Sequence, residues 1–534
     1  MDTLGGYGVF VAYPPRVCEI GSVLHELDLK PSRLTVGEHT MTDDTERIRG
    51  THRMTAPHHT PARPARAAAV LIPLLTIATA QLMLVLDDSI VNIALPSIQT
   101  EMDVDPVHLP WIVNGYILAF GALLLLGGRI GDLWGRKRTL QLGLVVFILA
   151  SLVGGLGQNV AMLIAARAVQ GIGAAITAPN ALALVTTTFA DRKTRDNALS
   201  LYGAMSGFGV ILGLLLGGVL TDLLDWRWVF FINVPIGALA LIGTRTLVGA
   251  DPHHGRLGGV GAALGTGGMV GLVYAITRFG EDGFADPPAW GIVAASAVLL
   301  ALFILTQRRS HSPLIPLSLF SDRNRSGAYL ITLLLAIGPM GALYVLTLHL
   351  QQVEHYSPLM TGLAWVPFAV GIFVGAGGAP KLLLRVAPRY VAAGAALLIA
   401  GALLWFSGIS VETDYWLQLA APALLMAIGY GGGLIALTQA AVYRVDSDKA
   451  GIASALFNSA QQIGVALGLA TLAGVAATVT AGSHSAPDEA LVDGYSTALL
   501  AGAGIVLVAA VLAIVTITNR LGTEASTARE VVPD

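Results

Sequence analysis

The chain has one cysteine, Cys18, in 534 residues, so no intrachain disulfide is available to brace it. It has no Cys/His cluster at metal-ligand spacing, no Gly-Lys pair, no His-Glu-x-x-His and no serine nucleophile elbow. Those absences exclude structural zinc, P-loop nucleotide hydrolysis, zincin chemistry and hydrolysis by an elbow serine. Charge is scarce as well. Charged residues make up 12% of the chain, against about 25% in an ordinary soluble protein. With a net charge of -3 there is no broad basic face for nucleic acid, and the few charges matter by position.

What the chain does have is apolar length. Hydrophobic residues are 54% of it and its mean hydropathy is +0.70. Crossing a bilayer takes roughly 20 predominantly apolar residues, and fourteen such stretches follow one another, from 68–96 to 496–519. Lipid offers peptide groups no hydrogen-bond partner, so each stretch has to satisfy its own backbone as a helix. The fold class expected is an all-α membrane protein with fourteen transmembrane helices. Lys and Arg give the direction, because short basic loops stay in the cytoplasm. Alternate loops read "GRIGDLWGRKR", "DRKTRD" and "QRRSHSP" on one side and "TEMDVDP", "RFGEDGFADPP" and "HSAPDEALVDG" on the other. An even number of spans then places both termini in the cytoplasm.

Residues 1–66 are polar, lack a signal-peptide apolar region and show no helical periodicity; a disordered cytoplasmic tail is expected there, and a short cytoplasmic tail at 521–534. Between the tails a pattern recurs. "GGRIGDLWGRKR" (Gly127–Arg138) follows the second span and "GGAPKLLLRVAPRY" (Gly377–Tyr390) the tenth, each joining a small-residue helix end to a basic cluster. Glycines of the fifth span have counterparts in the thirteenth at Gly464 and Gly468. Two six-helix bundles, 67–250 and 327–520, separated by two inserted helices and a cytoplasmic loop at 251–326, account for both repeats.

Four stretches carry chemistry. In "LDDSIVNIALP" (Leu86–Pro96) Asp87 and Asp88 stand in an apolar run, and "ARAVQGIGAA" puts Arg167 inside the fourth span. An arginine there costs at least roughly 2.5 to 3.5 kcal/mol, so it should face the interior and a partner. Adjacent helical residues point about 100° apart, so the two acids cannot share one surface. Burial disfavours a carboxylate's charged form and a nearby cation favours it, so a buried acid can load and release a proton as its surroundings change. In the loop "GRIGDLWGRKR" glycines permit a tight turn, and Asp132 can sit near the positive end of a neighbouring helix. In the fifth span Gly209, Gly213 and Gly217 recur every four residues and line one face, with Gly218 beside them, where another helix can approach closely.

Together these stretches, with "DWRWVFFINVPIG" (Asp225–Gly237), resemble the fourteen-span drug:proton antiporters of the major facilitator superfamily, over essentially all of residues 67–520. The resemblance implies the major facilitator fold, with its helices arranged six plus two plus six. It assigns Gly128, Asp132, Gly135, Arg136 and Lys137 to a cytoplasmic loop signature that latches one end of the transporter. It gives Arg167 a part in proton coupling, with a structural salt bridge as the competing reading. Gly209, Gly213, Gly217 and Gly218 fall in the exporters' antiporter signature, except that Leu214 stands where a proline is usual. Without it the helix should run straighter, and simple packing competes with a gating role. Asp87 falls on the family's acid and is expected to face the central cavity, there to carry coupling or recognise a cation; permanent pairing with an arginine such as Arg167 is the alternative. Asp88 takes a variable position and stands open between a cavity and a structural role.

His349, Gln352, Asn458 and Gln461 are further candidates for the cavity, against the alternative of satisfied helix–helix contacts. Pseudosymmetry sets the ninth span opposite the first, which places His349 or Gln352 across from Asp87. The function the resemblance implies is a proton-coupled exporter that moves small amphipathic compounds by alternating access, with cationic character left open. A proton-coupled importer, or an exporter of an endogenous metabolite, is the alternative. Expected partners are protons, a small-molecule substrate and the lipid bilayer of the cell membrane, with the chain acting as a monomer; no enzyme activity, cofactor, metal or nucleic acid is expected.

Overall fold

The computed structural model describes residues 63–106, 108–189, 191–249, 258–282, 285–310, 313–445 and 449–518. Residues 1–62 of the tail expected at 1–66, residues 250–257 and the tail expected at 521–534 lie outside the described residues. Among those described, fourteen helices are long and apolar enough to cross a membrane: α1 (Val70–Met102), α2 (Trp111–Trp134), α3 (Arg136–Gly155), α4 (Val160–Thr188), α5 (Lys193–Leu223), α6 (Trp228–Thr246), α7 (Gly259–Phe279), α8 (Pro287–Arg309), α9 (Arg323–Gln352), α10 (Pro358–Leu383), α11 (Pro388–Phe406), α12 (Tyr415–Val442), α13 (Gly451–Gly482) and α14 (Pro487–Thr516). No strand occurs among the described residues. Helix is continuous from Arg63 into α1, ahead of the boundary expected at 67.

Local chemistry sets the ends of these helices. Asn159, Asp286, Ser357 and Asp414 each accept a hydrogen bond from a backbone N–H in the first turn they precede, satisfying donors that a helix start leaves unpaired. Gly135 turns the chain from α2 into α3 at φ 93°, a conformation open to glycine. Proline breaks three spans internally. α6 is interrupted at Ile232 just before Pro235, α10 at Trp365 just before Pro367, and α12 begins as a wider π turn over Tyr415–Ala420 ahead of Pro422. In each, the ring removes a hydrogen bond to the preceding turn and crowds its carbonyl.

Packing follows the same scheme at both ends of the chain. α1 packs on α5 and α6, α2 on α4, and α3 on α4 and α6; α9 packs on α13 and α14, α10 on α12, and α11 on α12 and α14. α7 lies against α8, α13 and α2, its Gly268 and Gly271 seating Leu300 and Ser296 of α8. In its most apolar stretch α9 is 78% buried and α8 only 11%, so α9 is central and α8 peripheral. Exposed Leu239, Val298 and Val511 present the apolar outer surface that a bilayer requires.

Candidate functional site

Asp87 is completely buried, and its carboxylate is the centre of a polar node assembled from five helices. Its Oδ2 accepts from Arg167 Nη1 of α4 at 2.6 Å. Its Oδ1 accepts from Gln170 Nε2 at 3.1 Å and from Asn233 Nδ2 of α6 at 2.7 Å. Arg167, also fully buried, donates from Nε to the Ile112 carbonyl of α2 and from Nη1 to Gln170 Oε1, while its Cζ lies 4.4 Å from the centre of the Tyr116 ring. Gln170 passes a further hydrogen bond to Ser151 of α3. A buried ion pair recovers its desolvation cost only when hydrogen bonds saturate it, and here three donors reach the carboxylate. Arg167 Nη2 and Asn233 Oδ1 remain buried without a protein partner.

This geometry corrects one expectation. Asp87 does not lie on a cavity wall; it faces α3, α4 and α6, and its arginine pairing is the state observed. The neighbouring acid holds the accessible position: Asp88 is part-exposed, about 100° further round the helix. Gln170 and Asn233 escaped the sequence reading although both lie in stretches it singled out. Gln170 comes one turn after Arg167, on the same face of α4. Asn233 is the amide in the apolar run "VFFINVPIG", and the break at Ile232 opens a new helix with it.

The glycine face of α5 packs against the opposite side of α1. A side chain on Gly209 would meet Val85, one on Gly213 would meet Ser89 and the Leu86 carbonyl, and one on Gly217 would meet the Ile90 carbonyl. Gly218 points instead at Pro358 and Leu359 of α10. α5 runs unbroken past the buried Leu214.

The loop signature binds its own end of the first six helices together. Gly127, Gly128 and Gly131 lie against Ala175, Pro179 and Asn180 of α4. Asp132 pairs with Arg136 at the start of α3 at 3.0 Å. Lys137 Nζ donates to the Arg245 and Leu247 carbonyls at 3.1 and 2.9 Å, where the end of α6 leaves acceptors unpaired.

The remaining candidates lie elsewhere than across from Asp87. His349, fully buried, sits 3.2 Å from Thr413 Oγ1 and 3.7 Å from Glu354, edge-on to Tyr495. Gln352 donates to Gln99 of α1 at 2.8 Å and accepts from the Tyr495 hydroxyl at 2.8 Å, and Gln351 donates to the Ile93 carbonyl at 3.0 Å. These bonds join α9 to the far end of α1 rather than to its middle. Gln461 donates to the Tyr430 hydroxyl at 2.9 Å; Asn458, one turn earlier on α13, is exposed. At the Met102 end of α1, Glu101 accepts from Trp226 Nε1 at 2.6 Å and pairs with Arg227 at 2.7 Å, which gives the Asp-Trp-Arg part of "DWRWVFFINVPIG" a clamping role.

Residues 77–469 match the Major Facilitator Superfamily. The chain is 41% identical over 460 residues to a puromycin resistance protein of Streptomyces alboniger, covering 84% of this chain and 91% of that protein. It is 38% identical to a cephamycin export protein of Amycolatopsis lactamdurans, covering 84% and 93%. Among solved structures, the fold is similar to that of a transporter of the POT family, PepTSo, with a TM-score of 0.63 at 12% identity, covering 88% of this chain and 99% of that one.

Proposed function

This chain belongs to the Major Facilitator Superfamily, a multi-pass transporter of the cell membrane, and from that premise we propose that it is a proton-coupled exporter of small amphipathic compounds. The observation that carries the reading is the buried Asp87–Arg167 pair. Protonating Asp87 removes its charge and leaves the guanidinium unmatched in a site without water access, so the node has to rearrange. The donors to Asp87 come from α4 and α6. A changed charge at Asp87 therefore shifts α1 against those helices, and the close glycine face of α5 gives α1 a smooth surface to move along. Two six-helix bundles rocking about the seam between them, with α7 and α8 as an insert and both termini in the cytoplasm, provide alternating access.

Outward direction is supported by the resistance and export functions named for the relatives. The cephamycin export protein also favours a second reading, in which the cargo is a compound that the producing cell itself makes. The test uses inside-out vesicles carrying wild type or Asp87→Asn, energised acid-inside and offered a panel of lipophilic dyes. Wild type should accumulate dye, and Asp87→Asn, present at equal level, should not. Gradient-driven uptake by Asp87→Asn at the wild-type rate would refute the coupling role, and uptake driven only by an acid exterior would make the protein an importer.

A further inference from the structure

The two copies of the repeated loop satisfy their charges differently. In the first, Asp132 pairs with Arg136, and Lys137 donates to the Arg245 and Leu247 carbonyls. The second, Gly377–Tyr390 between α10 and α11, has no acid of its own, and none occurs in the chain between Glu354 and Glu412. Aligned on their Gly-Gly pairs, the position of Asp132 is taken by Leu382, an exposed leucine. Lys381, Arg385 and Arg389 remain, and among the described residues no carboxylate lies within ion-pair distance of any of them.

The end of α10 sets where these cations stand. Val366, Val370 and Val374 are exposed at successive turns and form an apolar outer stripe of the kind that faces lipid. Lys381 lies two turns beyond Val374 on the same helix face, about 10 Å further along the axis, so an exposed cation continues the line of the lipid-facing valines. Leu384, 86% exposed, follows where the helix ends, next to the exposed Arg385. Arg389, in the first turn of α11, sits over the Tyr390 ring with Cζ 4.6 Å from its centre and donates from Nη2 to the phenol oxygen at 2.6 Å. That contact fixes the guanidinium and leaves Nη1 without a protein partner. Exposed leucines interleaved with unpaired cations match a membrane surface, with apolar groups towards the acyl chains and charges at the headgroups.

We propose that the α10–α11 hairpin is a docking site for the headgroup of an anionic phospholipid, whose phosphate supplies the negative partner that the second loop lacks. A guanidinium matches phosphate oxygens two at a time, and an ammonium adds a point charge. Three cations with no acid among them select a lipid of net negative charge over a zwitterionic one, whose own cationic group offsets its phosphate. From the functional reading the proposal takes only the orientation, which turns this hairpin to the cytoplasmic leaflet, where anionic lipids attract basic segments next to a span. The two six-helix bundles are then held at this end by different means, the first by its own carboxylate and the second by the bilayer.

The experiment is fluorescence quenching in symmetric bilayers, with a maleimide-linked dye on the full chain carrying Leu384→Cys and Cys18→Ser. The bilayers are phosphatidylcholine with a fixed fraction of either brominated phosphatidylglycerol or brominated phosphatidylcholine. The dye should report a preference of about tenfold or more for the phosphatidylglycerol, and Arg389→Gln should cut that preference about fivefold, the effect of one cation at a charged membrane surface. Arg308→Gln with Arg309→Gln removes two exposed cations from the peripheral α8 and should leave the preference unchanged. Equal quenching by the two lipids overturns the proposal, and so does an unchanged preference in Arg389→Gln or an equal loss in the α8 variant. Should Arg389→Gln fail to fold, Lys381→Gln takes its place under the same criteria. Because the bilayer is symmetric and no substrate or gradient is present, failure of the transport reading or of the orientation leaves this result standing.

Discussion

The Asn233 amide donates one of three hydrogen bonds to a carboxylate that has no exposure at all. Hydrogen bonds to charged groups are worth roughly 1.5–3 kcal/mol, so Asn233→Leu should lower unfolding stability by about that amount and slow vesicle transport at least tenfold. A melting temperature equal to wild type would show that Asn233 is a bystander. Much at this scale was legible in the sequence: an acid and an arginine inside apolar spans have to find each other or an equivalent partner. What could not be read was the rotation of α1. Asp87 and Asp88 are adjacent, and a single helix gives no reference for which of two directions faces the neighbouring bundle. The reference came from contacts, with Val85, Ser89 and Ile90 turned to the glycines of α5 and Leu84 and Asp87 to Tyr116 and Arg167.

At the level of the element, α5 carries two kinds of glycine. Gly213 lies against the backbone of α1, whereas Gly203 has open space where a Cβ would go. Gly213→Leu has to push α1 away beside the Asp87 node and should abolish transport, while Gly203→Leu, with no neighbour to displace, should keep most of it. Equal transport by the two variants would remove the close-packing account of this face. The four-residue spacing made the face legible, although not its partner. Breaks were less legible than spans. Pro235, Pro367 and Pro422 interrupt their helices, yet Pro73, Pro96, Pro179 and Pro339 lie inside continuous ones. Neighbouring helices and local adjustments satisfy the backbone groups that a membrane proline frees, so composition alone does not tell a kink from a continuous helix.

Across the whole molecule, α1 and α5 are tied to α9 and the start of α10 near the Met102 end of α1 by three hydrogen bonds: Gln351 on the Ile93 carbonyl and Gln352 on Gln99, both between neutral groups, and Ser357 on the Asp222 carboxylate. The repeat of pairings was foreshadowed by the recurring loop and by Gly464 and Gly468, which pack on α9 as the α5 glycines pack on α1. The tie was not foreshadowed, because it joins residues some 250 positions apart, Gln99 and Gln352, with no shared motif. Its chemistry fits a gate that opens every cycle. Each neutral bond contributes about 0.5–1.5 kcal/mol net, so losing one shifts an open–closed equilibrium roughly twofold to tenfold. Gln352→Ala removes the bond to Gln99 and the acceptor of the Tyr495 hydroxyl together. Cysteine labelling can read the shift, since Cys18 is the only cysteine to replace. A cysteine at Asn92, a buried position below the tie, should react severalfold faster with an impermeant maleimide supplied from the Met102 side when Gln352 is alanine. An unchanged rate would mean that the amides are packing and that the apolar contacts of Gly218 and Gly362 across α5 and α10 hold the gate shut instead.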